Sequence, residues 1–308
     1  MIGSWLVKEL LQLQALPVVL IHDADPQSEL YRSKDIEKTI VVNGALEDYW
    51  SMERVINEQE ISTVIHLGAQ TIVGTAHRSP LPTFEANIRG TYNILEACRV
   101  HSSLVKEIVV ASSDKAYGEH EDLPYREDMA LNGRHPYEVS KSCADLIAQA
   151  YHHTYNLPVA IARCGNIYGG GDLNWNRIVP GTIRSILLKQ IPIIRSDGKY
   201  VRDYIYVKDI ARAYIRLAEK LHEKGVRGEA FNFSTEQPLT VLDLVKSIQA
   251  SLSAKDSDVT ILDAAEGEIR NQSLSAGKAK RVLAWRAEFE LDRGLGETIE
   301  WYSSFLGV

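Results

Sequence analysis

Cysteine is scarce in this sequence. There are three, Cys98, Cys143 and Cys164, and none stands in a Cys-x-x-Cys or Cys/His spacing. That excludes a disulfide framework and a zinc site, and it fits a reducing, cytoplasmic compartment. Long apolar runs are missing as well. No stretch is long enough to span a bilayer, so no membrane partner is expected. The first apolar residues are broken by Lys8, Glu9, Gln12 and Gln14, which argues against a signal peptide. Positive charge is in deficit: 34 Lys and Arg against 41 Asp and Glu give a formal charge of −7. A nucleic-acid-binding surface is therefore not expected. His152–His153 has no metal-ligand company, and no metal site is expected. Internal repeats and low-complexity segments are absent. What is present is ordinary for a globular protein, with 45% hydrophobic and 24% charged residues over 308 positions. That length is enough for a full core and two packed lobes.

The first half alternates strand-like and helix-like segments. "VVLIHD" reads as a buried strand ending at Asp23, and "TIVV" as a short strand. Leu46 to Gln59 reads as a helix, "TVIHLGA" as a second buried strand, and Phe84 to about Val100 as a long helix. "EIVVASS" is a third buried run, Pro136 to Tyr155 a helix with proline in its first turn, and "VAIARCGN" a fourth run. Short β-branched runs separated by helices predict parallel strands with crossovers, hence a doubly wound α/β sheet. After Asn166 the rhythm changes to a glycine-rich loop, "YGGGDLNWNRIVP", a helix from Val207 to Lys224, and short mixed elements ending in an amphipathic helix. The expected division is a dinucleotide-binding lobe of residues 1–166 and roughly 200–228, with a smaller lobe of 167–199 and roughly 229–308. "GGGD" is not a P-loop, because no Gly-Lys-Ser/Thr follows. Trp285 and Trp301 are expected in the core.

The opening, "MIGSWLVKEL", resembles the end of a phosphate-binding turn. In a doubly wound sheet the first strand runs into G-x-x-G-x-x-G and the first helix, so that backbone N–H groups approach a pyrophosphate. Gly3 suits the last glycine, the one that lets helix and strand pack closely. The two earlier glycines and the first strand are missing. Asp23, at a strand end, suits a carboxylate binding the adenosine ribose. The first strand lies in the middle of such a sheet, so its omission leaves two edges unpaired. Each buried unpaired backbone group costs roughly 1–3 kcal/mol, against a domain stability of roughly 5–15 kcal/mol. The expectation is a chain that starts late, or a substitute strand from elsewhere.

"HPYEVSKSCADLIAQAY" carries the sharpest chemical signal. Tyr137 and Lys141 share a helix face. A free phenol has a pKa near ~10 and is a poor base at neutral pH. A nearby ammonium and a nicotinamide cation favour the phenolate. "VVASSDKAYG" ends a buried strand with Ser112 and Ser113, at the strand end where α/β ligands bind. Serine there completes a Ser–Tyr–Lys set.

These stretches, with "VIHLGAQTIVGTAHRSPLPTFEANIRGTYNILEACR", "RCGNIYGGGDLNWNRIVPGTIRS" and "SDGKYVRDYIYVKD", resemble the extended short-chain dehydrogenases/reductases of the sugar-nucleotide class, and the CDP-glucose 4,6-dehydratases in particular. "SDK" stands where many relatives have Thr-Asp-Glu. The resemblance implies NAD as cofactor, a nucleotide-sugar substrate and a homodimer formed by the helices Phe84–Val100 and Pro136–Tyr155. It implies that Tyr137 takes the proton of the sugar's 4-hydroxyl. Lys141 holds the nicotinamide ribose and lowers the tyrosine's pKa, and Ser113 binds the 4-oxygen. Asp114 is the candidate acid for the departing 6-hydroxyl, or else a strand-end cap. Lys115 is the C5 base if desolvation keeps it partly neutral, or else an ion-pair partner. His66, Leu67, Gly68, Ala69 and Gln70 line the dinucleotide, and Asn87 supports the active site. Asn166 and Arg202 lie near the substrate diphosphate, Arg177 near the base or sugar, and Arg270 adds a phosphate contact or is a solvated charge. The implied product is a 4-keto-6-deoxy sugar. The alternatives are a sugar-nucleotide 4-epimerase and a non-catalytic sugar-nucleotide-binding subunit.

Overall fold

The computed structural model describes residues 1–254, 257–264 and 267–308. Its strands in chain order are β1 (Val18–Ile21), β2 (Ile40–Asn43), β3 (Thr63–His66), β4 (Glu107–Ala111), β5 (Val159–Cys164), β6 (Asn166–Tyr168), β7 (Ile193–Ile194), β8 (Val201–Tyr206), β9 (Ala230–Phe233), β10 (Pro238–Thr240) and β11 (Thr260–Ile261). The central sheet runs β3–β4–β5–β9, all parallel. Alternation along each strand sends side chains to two separate cores. Val109 of β4 and Ala160, Ala162 and Cys164 of β5 join Trp5, Leu6, Ile210 and Tyr214 on one face. Ile108, Val110, Val159 and Ile161 join Met52, Ile56, Leu95 and Ala148 on the other. Helices therefore cover both faces: Ile2–Gln12 and Val207–Lys220 on the first, and Tyr49–Glu58, Gly90–Val100 and Pro136–Tyr155 on the second. This is the doubly wound α/β class expected from the alternation of short β-branched runs with helices.

β1 and β2 form a parallel pair of their own, Val18 opposite Ile40, and no ladder joins them to the central sheet. β1 is half-buried throughout, whereas β5 is buried at every position. The run expected as a fully buried strand ending at Asp23 is thus a half-buried one ending at Ile21, because β2 flanks it on one side only. Other boundaries shift for local reasons. The helix expected from Leu46 starts at Tyr49, because the Asp48 carboxylate caps it by accepting from Trp50 N at 3.1 Å. The helix from Val207 ends at Lys220 rather than Lys224. The long pattern after Phe84 contains a π-helical turn, Glu85–Arg89, ahead of the regular helix Gly90–Val100. The helix Pro136–Tyr155 has its expected bounds, with Pro136 at its start and Asn156 closing it in the left-handed conformation.

Beyond Asn166 the strands are short. β8 lies parallel to β6 and antiparallel to β10, and β7 pairs with β11. Trp285 packs edge-on against Phe233 at 4.9 Å, and Trp301 stacks on Phe305 at 5.0 Å within the last helix, Leu291–Leu306. Among the described residues no helix is long and apolar enough to cross a membrane.

Candidate active site

Chemistry-bearing side chains gather where β3, β4 and β5 end. β4 stops at Ala111, and Ser112 and Ser113 follow. Ser113 then caps a short 3-10 turn, Asp114–Tyr117, its Oγ accepting from Lys115 N at 3.2 Å. The same hydroxyl donates to Asp114 Oδ1 at 3.0 Å. Asp114 is 1% exposed, and its Oδ2 has no hydrogen-bond partner among the described residues; neither has Ser112 Oγ. Lys115 is half-buried and donates from Nζ to Gln272 Oε1 at 2.9 Å. Burial lowers its pKa and Arg202 adds to that, while Asp114, Glu268 and Glu138 act the other way.

Tyr137 stands in the first turn of its helix. Pro136 starts that turn, and Glu138 closes a capping box by accepting from the backbone N–H of His135 at 3.3 Å. Lys141, one turn on, donates to Ala111 O at 2.8 Å and so ties the helix to the end of β4. Both side chains are buried. Burial, followed by the Asp114 charge, pushes the Tyr137 phenol up to about 12, while Arg177 and the nearby Ser113 hydroxyl pull it down. Burial pushes Lys141 down to about 8 against the pull of Cys164 and Asp145. Burial is thus the largest influence on the phenol in the protein without a cofactor.

The segment after β3 is held from behind. His66 is buried and stays neutral, pushed down to about 3 by burial and then by Lys141. Thr91 gives its single hydroxyl proton to Asn87 O at 2.6 Å, so at the 3.1 Å contact His66 Nε2 is the donor. Leu67, Gly68 and Ala69 lead on to Gln70, whose N–H and carbonyl are both bound by the Asn87 side chain, at 2.7 and 3.0 Å. Asn87 also donates to Ser140 Oγ at 2.9 Å, linking this segment to the Tyr137 helix. Asn87 sits in the π-helical turn, a local widening often found at functional sites. Gly68 has a packing reason to be glycine: an added Cβ would lie 2.6 Å from Leu46 Cδ1. Gly3 has no such reason, since a Cβ there meets nothing within 4 Å. Asp23 is exposed, 3.5 Å from His22.

The candidate substrate arginines have protein partners. Arg177 bridges Asp172 at 3.0 Å and Thr71 Oγ1 at 3.1 Å. Buried Arg202 donates to the carbonyls of Val201 and Arg270 at 2.9 and 3.0 Å, and reaches Glu268 at 3.4 Å. Exposed Arg270 pairs with Asp197 at 2.8 Å. Both guanidinium groups lie 5.4 Å from the Tyr200 ring. Asn166 opens β6 opposite Tyr204. A cleft of about 240 Å³ lies among Glu119, Arg134, His135, Glu138, Glu268 and their neighbours. Its residues, and Gln272, escaped sequence reasoning. Gln272 reaches Lys115 across 157 positions, and no local pattern marks it.

The family model described as GDP-mannose 4,6 dehydratase matches residues 1–298. CDP-glucose 4,6-dehydratase of Salmonella typhimurium is 27% identical over 321 residues, covering 99% of this chain and 88% of that protein. dTDP-glucose 4,6-dehydratase 1 of Escherichia coli is 27% identical over 330 residues, covering 98% and 90%. Among solved structures, a dTDP-glucose 4,6-dehydratase from Streptomyces venezuelae with NAD bound has a TM-score of 0.88 at 27% identity, covering 99% and 95% of the two chains. UDP-glucose 4-epimerase from Thermotoga maritima has a TM-score of 0.87 at 27% identity, covering 99% and 96%.

Proposed function

We propose, for a chain that belongs to the GDP-mannose 4,6-dehydratase family, that it removes water from a nucleotide-activated hexose, CDP-glucose, to leave a 4-keto-6-deoxy sugar. The observation that carries this reading is Asp114 Oδ2, buried beside Tyr137 and without a hydrogen-bond partner among the described residues. An unsatisfied buried oxygen costs roughly 1–3 kcal/mol, which a substrate hydroxyl recovers on binding.

The residues present fit NAD at its nicotinamide end. Lys141 has three donor hydrogens, and Ala111 O is its one hydrogen-bond acceptor among the described residues, so a ribose hydroxyl can take another. Asp23 is an exposed carboxylate suited to the adenosine ribose. When bound, NAD supplies the acceptor for the C4 hydride and the donor that returns it to C6. Tyr137 takes the 4-hydroxyl proton, with Ser113 binding the 4-oxygen and Lys141 supplying positive charge one helical turn away. Lys115 removes the C5 proton, made acidic by the 4-ketone, and Asp114 gives its proton to the departing 6-hydroxyl. Arg202 and Arg270 exchange their carboxylate partners for the diphosphate, with Asn166 beside it and Arg177 toward the base or sugar.

In this reading residues 1–166 and roughly 200–228 bind the dinucleotide, and the remainder binds the sugar nucleotide. The protein works in the cytoplasm as a homodimer. Exposed Tyr92, Leu146 and Tyr155 on the two long helices support the pairing. Likeness to a 4-epimerase supports a second reading, inversion at C4. The deciding assay supplies CDP-glucose and NAD in deuterated water and follows product by mass spectrometry and NMR. Loss of water with deuterium at C5 supports dehydration. An unchanged mass with C4 inverted overturns it in favour of epimerisation.

A further inference from the structure

Lys115 depends on a residue far along the chain. Gln272 is fully buried and belongs to a segment pinned on both sides. Its own N–H donates to Val201 O at 3.0 Å, and two residues on, Leu274 bridges Tyr125. Its Oε1 accepts the Lys115 amine at 2.9 Å. Its Nε2 lies near the Tyr125 hydroxyl, which gives its proton to Gly118 O, and reaches no partner at hydrogen-bonding geometry among the described residues. Among the described residues the charged groups facing Lys115 are Asp114 on its own turn, Arg202 on β8, Glu268 on the segment before Gln272, and Glu138 on the Tyr137 helix. None of them receives the Lys115 amine in a hydrogen bond among the described residues. An amide carbonyl accepts from an ammonium and from a neutral amine, and it favours the ammonium far less than a carboxylate does.

We propose that Gln272 is the positioning residue for Lys115, a neutral acceptor that holds the amine in place in both protonation states so that it takes and returns the substrate's C5 proton. This rests on the dehydratase reading. It gives Lys115 a role other than ion pairing: Asp114 lies next to it in sequence, yet the amine's hydrogen bond goes to an amide. The lowering of the Lys115 pKa by burial is consistent with an amine left free of a carboxylate bond.

The test compares wild type, Gln272→Glu and Gln272→Leu by two readouts. One is the pH profile of water loss and of C5 deuterium exchange. The other is the titration of Lys115 followed by NMR of 13C-labelled lysine, assigned through its absence in Lys115→Arg. Gln272→Glu is expected to raise the Lys115 midpoint and the acidic limb of the elimination profile by roughly one to three pH units. Gln272→Leu is expected to lower kcat for elimination about 10- to 100-fold with KM little changed. Gln272→Leu stands alone if the charged variant does not fold. Unmoved midpoints and unchanged kcat in a wild-type enzyme that does lose water overturn this proposal alone. A wild type that loses no water, while Gln272→Glu still moves the titration, overturns the dehydratase reading and the base role with it.

Discussion

The turn Asp114–Tyr117 has two ends that treat buried polar atoms in opposite ways. At the Tyr117 end the atoms are partnered. Arg163 on β5 makes a two-point bond to Asp145 on the Tyr137 helix, at 2.8 and 2.9 Å, and donates to the Tyr117 hydroxyl at 2.8 Å. That hydroxyl donates on to Asn232 at 2.8 Å, and Asn232 reaches Tyr125 O at 3.0 Å and Glu127 at 2.9 Å. Burial opposes the Arg163 charge, but Asp145 outweighs it and the guanidinium's pKa rises further. At the Asp114 end, Ser112 Oγ, Asp114 Oδ2 and Gln272 Nε2 are three of the five buried side-chain atoms left without a partner among the described residues. One end is finished by the fold. The other keeps three buried polar atoms without a partner among the described residues, the pattern a preorganised site would have.

That contrast is open to attack from either end. Arg163→Met leaves the buried Asp145 carboxylate unpaired and is expected to destabilise by roughly 3–5 kcal/mol, measured as a lowered urea midpoint at unchanged slope. A loss under about 1 kcal/mol would mean that the network is incidental. Lys141→Met is expected to do the reverse to the unliganded protein while abolishing turnover. Folding lowers the lysine's pKa from 10.5 to about 8, so the fold disfavours the ammonium form. The cost is full below the folded value, roughly 3 kcal/mol, and is relieved as pH rises from about 8 toward 10.5. Wild-type stability should therefore climb across that window, and the Met variant, lacking the rise, should be the more stable at neutral pH. The gain is reduced by about 1 kcal/mol for the bond lost to Ala111 O. The smallest stability effect is expected of Asp114→Asn, within about 1 kcal/mol of wild type because one oxygen was never satisfied. Its water-loss rate should nonetheless fall about 10²- to 10³-fold, with hydride transfer to NAD still visible as NADH absorbance.

Much of the molecule was readable along the chain because it depends on near neighbours. Pro136 at a helix start, and Tyr137 and Lys141 one turn apart, are matters of local spacing. The central strands β4 and β5 announced themselves as apolar runs, since both faces of the sheet are covered there, whereas β3, expected as a buried strand, is buried only at His66. At one helix start a single group was responsible for the misreading: Asp48 capped the helix later than the apolar pattern began. The two- and three-residue strands β7, β10 and β11 are too short for any periodicity to reveal.

The sequence by itself determined the order of the longer elements, the doubly wound class, the strand-end serines and the Tyr–Lys pair, because each rests on a period of two or 3.6 residues or on a strand end, while Asp114 and Lys115 were marked by the family resemblance. Only the tertiary structure decided that Gln272, rather than a carboxylate, receives Lys115, and that Arg163 meets Asp145. It alone decided which buried oxygens were left open. Those pairings join residues from distant segments, and the preference for one partner over another arises from desolvation, which exists only once both are buried together.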